Sequence, residues 1–152
     1  MAFDIERYRM LIDSFRALMT ENEGICAIRL GTDKWTLREM IGHLIDSASN
    51  NHQRFVRLQL VPSLQLPGYE AEAWKNVSRV ELFDYASLVS FWVSYNDFLL
   101  HLIRNMDEGS LDHYWEINGE RKTLAFLVED YFSHLEWHQK LFSDRVAEIK
   151  RV

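Results

Sequence analysis

Cysteine, proline and glycine are scarce in this sequence: one, two and six in 152 residues. A lone thiol, Cys26, excludes an intrachain disulfide framework and any cysteine-rich zinc site. It also fits a reducing compartment. So few helix breakers favour long helices over many turns. No stretch approaches the roughly 18 uninterrupted apolar residues of a membrane span. The opening MAFDIERYRM is charged at once and lacks the apolar segment of a secretory leader. Positive charge is the minority, with 17 Lys and Arg against 23 Asp and Glu and a net charge of −6. That argues against a nucleic-acid or anionic-membrane partner, because phosphate contacts need clustered Lys and Arg. The expectation is a soluble, cytoplasmic protein.

Apolar residues are plentiful. They make up 47% of the chain, enough for one domain spanning 1–152 with its own core. Four helical segments can be read. The first covers about 4–21, with Ile5, Tyr8, Ile12, Phe15 and Met19 at helical spacing and Asp4 as its cap. The second runs from about 36 to 60 and opens on the capping box Thr36-Leu-Arg-Glu39. The third is expected from about 78 to 106, capped at Ser78. The fourth runs from Thr123 to about 148. A connection of about 20 residues joins the second and third helices and is long enough for a crossover. His113 to Lys122 reads as a short hairpin, since Asn118-Gly119 favours a type I′ turn. The predicted fold is all-α, a four-helix bundle with a long helix 2–helix 3 connection and a β-hairpin before the last helix.

The most informative stretch is His134-Leu-Glu-Trp-His138, two imidazoles at i and i+4 in a long apolar helix. Such positions share a helix face, and the wheel places both within the apolar sector, so both are expected to look inward. With a third nitrogen from a facing helix they would form a three-ligand site with open positions, as in catalytic metal centres. His43 is the candidate. It lies on the flank of the second helix, on a polar track with Ser47, Asn50 and Arg54. Asp130, one turn before His134, is placed to hold a ring N–H from outside the ligand set.

Other metal and nucleophile patterns are missing. Glu136 stands one place too late for the zinc-protease H-E-x-x-H and points about 160° away from His134. No Glu-x-x-His pair, glycine-rich phosphate loop, Cys-x-x-Cys or nucleophile elbow occurs.

Several pieces together resemble the DinB-like, or YfiT-like, metal-binding superfamily. They are Lys34-Trp35-Thr36, Gly42-His43-Leu44-Ile45-Asp46-Ser47, Leu66-Pro67-Gly68-Tyr69 with Trp74, and His134-x-x-x-His138-Gln139, in the family's order over roughly residues 30–143. The resemblance implies a four-helix bundle in which His43, His134 and His138 bind a divalent metal, commonly nickel or zinc, and in which homodimers are frequent. Relatives include thiol-dependent S-transferases and metal-dependent hydrolases.

The leading expectation is therefore a metal-assisted enzyme that activates a low-molecular-weight thiol towards a small-molecule substrate. Three neutral imidazoles leave the ion's charge uncompensated and favour an anionic fourth ligand. Asn50 and Arg54 are the candidates for gripping an anionic substrate, and Ser47 and Asp130 for supporting the ligands. The alternatives are hydrolysis by metal-activated water and a non-catalytic ligand-binding or structural dimer. Asp46 is the nearest carboxylate for a hydrolytic base, but its face diverges from His43.

Overall fold

The computed structural model describes residues 2–152. It contains five α-helices and a small three-stranded sheet. Helix α1 spans Ile5–Glu21, α2 Leu37–Leu60, α3 Ala71–Ser78, α4 Tyr85–Arg104 and α5 Leu124–Lys150. Strands β1 (Ser63–Leu64), β2 (Tyr114–Ile117) and β3 (Glu120–Thr123) form the sheet, in that order. Among the described residues no helix is long and apolar enough to cross a membrane.

Each long helix begins where a short polar side chain can take a free backbone N–H. Asp4 accepts from the Arg7 amide at 3.0 Å. Thr36 and Glu39 close the expected capping box on α2. Thr123 accepts from the Phe126 amide at 3.1 Å. Glu39 does more than cap: it is buried and ion-paired to Arg29 at 2.9 Å, with Lys75 of α3 at 3.8 Å. Burial alone would raise its pKa, but the hydrogen bond from Arg29 and the Thr36 amide hold it below the ordinary carboxylate value.

The expected cap at Ser78 is corrected. Ser78 ends α3, and Arg79 turns left-handed (φ 53°, ψ 42°). A single 3-10 turn follows, and α4 starts at Asp84, whose carboxylate accepts from the Ser87 amide at 2.9 Å and its hydroxyl at 2.8 Å. Two signals overlapped in Ser-Arg-Val-Glu, and the true cap lay six residues on. Leu82 falls in this turn rather than in α4 and is 75% exposed. The hairpin forms as expected. Asn118 (φ 51°) and Gly119 (φ 78°) make the turn, and Tyr114 pairs with Thr123 across it. Strand β1, too short to read from sequence, adds in parallel to β2.

Helix directions follow from the pairs that meet. Near the start of α2, Arg38 donates to the Glu81 carbonyl at 2.8 Å; in mid-helix His52 meets Tyr95 at 2.8 Å; at the end, Gln59 accepts from the Asp107 amide at 3.1 Å. Helices α2 and α4 therefore run parallel. The 61–84 segment is the crossover that returns the chain along the bundle. Helix α5 is antiparallel to α2, with His43 beside His138 and Phe55 beside Tyr131. Helix α1 is antiparallel to α4, since Arg9 meets Asp97 and Met19 meets Tyr85. The order of directions is up, down, down, up.

The core is a continuous aromatic and aliphatic cluster. Phe15 and Trp92 pack edge to face at 5.3 Å, and Tyr8 stacks on Phe132 at 3.7 Å. The buried polar pair Asn96 and Tyr131 is satisfied, the phenol donating to Asn96 at 2.7 Å and Asn96 donating to the Trp92 carbonyl at 2.9 Å.

Gly42 lets the crossover seat on α2. A Cβ there would lie 2.8 Å from Val80 Cγ2. Alanine gains about 1 kcal/mol of helix propensity, but overpacking costs about 1–3 kcal/mol. Gly42→Ala is expected to lower unfolding free energy by about 1 kcal/mol in urea titration. In a Val80→Ala background the same change is expected to stabilise.

Candidate metal centre

His43 stands in the second turn of α2, directly under the crossover. Its ring lies 4.9 Å from that of His138 on α5, 5.7 Å from Trp35 and 6.4 Å from Tyr69, centroid to centroid. Two elements fix this arrangement. The antiparallel α2–α5 contact puts the two histidines opposite one another. Residues 61–70, extended along the bundle, bring Tyr69 and then α3 over the same end. Trp35 donates through its indole N–H to Glu72 of α3 at 3.1 Å, and Lys75 Nζ sits 4.7 Å above its ring. Arg145 of α5 donates to the Trp35 carbonyl. The result is a cleft of about 370 Å³ whose walls include Trp35, Met40, His43, Ala71, His138 and Arg145.

The electrostatics favour neutral rings. Burial, then the neighbouring His134, depress the pKa of His43. Burial, with His43 and His134 close by, pushes His138 down to about 4. Both rings are thus uncharged at neutral pH and carry a free nitrogen lone pair. His43 Nδ1 is buried and has no partner among the described residues. A buried ring nitrogen left unpaired costs about 1–3 kcal/mol; in the tautomer protonated at Nε2 it is a lone pair that an ion or a donor would satisfy.

His134 departs from the inward expectation. Its side chain is 62% exposed, and its ring centroid is 6.4 Å from that of His138. Two imidazoles sharing a tetrahedral ion at the usual Zn–N length have centroids about 5 Å apart. The His43–His138 pair meets that spacing and His134 stands beyond it. As the side chains lie, no three His, Cys, Asp or Glu groups among the described residues are gathered closely enough to hold an ion. His134 is not among the residues that line the cleft, and solvent competes for its exposed ring. The donor set still fits a borderline metal: two neutral, half-buried imidazoles, one with an orphaned nitrogen, and a third on an exposed side chain one turn away.

The other sequence candidates fall in different places. Asp130 Oδ2 lies 3.6 Å from His134 Nδ1, too long for a hydrogen bond but adjacent to it. The Ser47 hydroxyl interacts with the Tyr69 phenol, so it supports a residue that flanks His43. Asn50 donates its amide to the Asp46 carbonyl at 2.9 Å within α2. Arg54 is buried, with its guanidinium 3.8 Å over the Trp115 ring. Neither Asn50 nor Arg54 lines the histidine cleft. Glu136 reaches away to Arg7 on α1, as its position on the wheel required. Asp46 lines a separate cleft. His52 and His113 are structural: the first bonds to Tyr95, and the second sits 2.5 Å from the Leu58 carbonyl. Sequence reasoning gave no role to Tyr69 or Trp35 beyond motif and packing. Their aromatic character beside Pro67-Gly68 and before the Thr36 cap was the available signal.

Neither a protein-family model nor a curated protein sequence matches the chain. Among solved structures, YfiT from Bacillus subtilis superposes with a TM-score of 0.77 over 94% of this chain and 87% of that one, at 16% identity. The fold is YfiT-like. That protein is described as "a probable metal-dependent hydrolase with an unusual four-helix bundle topology". The up, down, down, up order and the crossover define this chain's own bundle topology.

A depressed histidine pKa has a consequence for stability. Between pH 6.5 and about 4 the unfolded chain binds a proton at His138 that the folded chain refuses. In metal-free protein, stability is expected to fall as pH drops through that window. Proton NMR of the His138 ring should give a midpoint near 4, and a midpoint near 6.5 would contradict the burial argument.

Proposed function

We propose that this chain binds a divalent metal through His43 and His138, with His134 completing the set by a side-chain rotation, and that it uses the ion in chemistry on a small molecule. The observation that carries the reading is the His43–His138 pair at 4.9 Å, in a cleft and with one ring nitrogen buried and unpaired. An all-imidazole set suits zinc or nickel better than magnesium or calcium. A divalent ion held there would supply Lewis acidity, lowering the pKa of a coordinated water or thiol.

The protein's own groups do the rest. His43 and His138 stay neutral at physiological pH and so remain ligands. Trp35 and Tyr69 wall the ligand pair and limit water around it. Asp130 stands ready to accept a ring N–H from His134 once that ring turns inward. Hydrolysis is the preferred reaction class, supported by the structural likeness to a protein described as a metal-dependent hydrolase. Transfer of a low-molecular-weight thiol is the second reading. The uncompensated charge of three neutral ligands favours it, because a thiolate would neutralise part of that charge.

Chelator-treated protein is expected to take up about one zinc or nickel ion per chain by calorimetric titration, with a rise in melting temperature. His43→Ala and His138→Ala are each expected to weaken that uptake at least about 100-fold, while His134→Ala weakens it less. Ester, amide and phosphoester hydrolysis and thiol transfer, assayed with and without chelator, then separate the two reaction classes. Wild-type protein that takes up no metal would overturn the reading.

A further inference from the structure

A second cleft, of about 240 Å³, opens on the other flank of α2, between that helix, the turn that follows α3, and α4. Its walls are apolar: Ile45 from α2, Val80 and Phe83 from the turn, Leu88 and Phe91 from α4. Phe83 and Phe91 are 55% and 52% exposed, so the rings form an open rim. One carboxylate, Asp46, projects among these walls. It makes no hydrogen bond or ion pair among the described residues, and burial alone accounts for its displaced pKa of about 6. It is therefore ionised at pH 7.5 and has no counter-ion.

The cleft's other charged residue does not supply one. Lys75 lines the edge, but its ammonium is held by Glu72 at 3.1 Å and Glu39 at 3.8 Å, above the Trp35 ring. Only its aliphatic stem is left for the cleft. A half-buried carboxylate without a partner is costly. The group that relieves it is a cation with an apolar body, whose head pairs with the carboxylate and whose flank lies against the aromatic rim. A cleft of about 240 Å³ lies just below the range of about 300–1,000 Å³ that takes drug-sized ligands, so it suits a small molecule.

We propose that this cleft is a binding site for a small aromatic or alkyl amine, with Asp46 as its counter-ion and Phe83 and Phe91 as its walls. The site is separate from the histidine cleft and does not depend on a metal. Occupation of the two clefts can be read independently, because no residue lines both.

The test is a chemical-shift titration of the full chain with 2-phenylethylamine, 2-phenylethanol and 3-phenylpropionate at pH 7.5. The amine is expected to bind about tenfold more tightly than the alcohol, and the acid not at all. Shifts are expected at Ile45, Phe83 and Phe91, unchanged by chelator. Asp46→Asn removes a buried charge without changing shape, so it should fold, and it is expected to bring the amine to the alcohol's affinity. Equal binding of amine and alcohol would overturn the proposal. So would undiminished amine binding by Asp46→Asn, shifts confined to the histidine cleft, or a sedimenting dimer in which Phe91→Ser yields monomer, which would assign the cleft to a second copy of the chain.

Discussion

The structure depends on two parallel neighbours, α2 and α4. Consecutive helices joined by a short loop run antiparallel; these do not, so the chain must travel back along the length of α2 before α4 begins. A 24-residue helix is about 36 Å long, and residues 61–84 cover that return with an extended stretch, the short α3 and a 3-10 turn. The crossover is seated at both ends. Its start pairs as β1 with β2. Its end rests on Gly42, where a backbone without a Cβ admits Val80. Between them, Lys75 reaches the buried Glu39 at the mouth of α2.

That return path also makes the two clefts. Without it, the flank of α2 carrying His43 and Asp46 would be ordinary solvated helix. With it, Tyr69 and α3 cover one side, and Val80 and Phe83 cover the other. Desolvation follows, and it disfavours charge on both groups, lowering the pKa of His43 and raising that of Asp46. His43 Nδ1 is left without a partner, and the Asp46 carboxylate has no hydrogen bond or ion pair among the described residues. Both are local costs, and they stand beside a core in which Asn96 and Tyr131 are paired while the buried Trp92 indole N–H has no partner among the described residues. Such unmet polar groups concentrate at sites built to receive something.

Much of this was legible in the sequence, and the limits are physical. Capping residues Asp4, Thr36 and Thr123 marked three helix starts because one side-chain oxygen can satisfy one free amide, a local event. Asn118-Gly119 marked the hairpin because a type I′ turn needs two positive φ angles, also a local demand. The third start was misplaced because Arg79 adopts a left-handed conformation that nothing in Ser-Arg-Val-Glu announces. Helix spacing brought His43 and His138 to facing sides, since both lie well inside their helices. It overstated His134, because angle on a wheel does not give depth, and that side chain is 62% exposed. Tyr69 and the walls of the Asp46 cleft come from the crossover's path, a tertiary property with no local code.

The central claim is that imidazoles from α2 and α5 share one ion. X-ray absorption at the metal edge of zinc-loaded protein at neutral pH tests it most directly. The account predicts three imidazole nitrogens at about 2.0–2.1 Å, falling to two when His43 is replaced by alanine. A spectrum with no more than one imidazole, or one indifferent to the loss of His43, would contradict it.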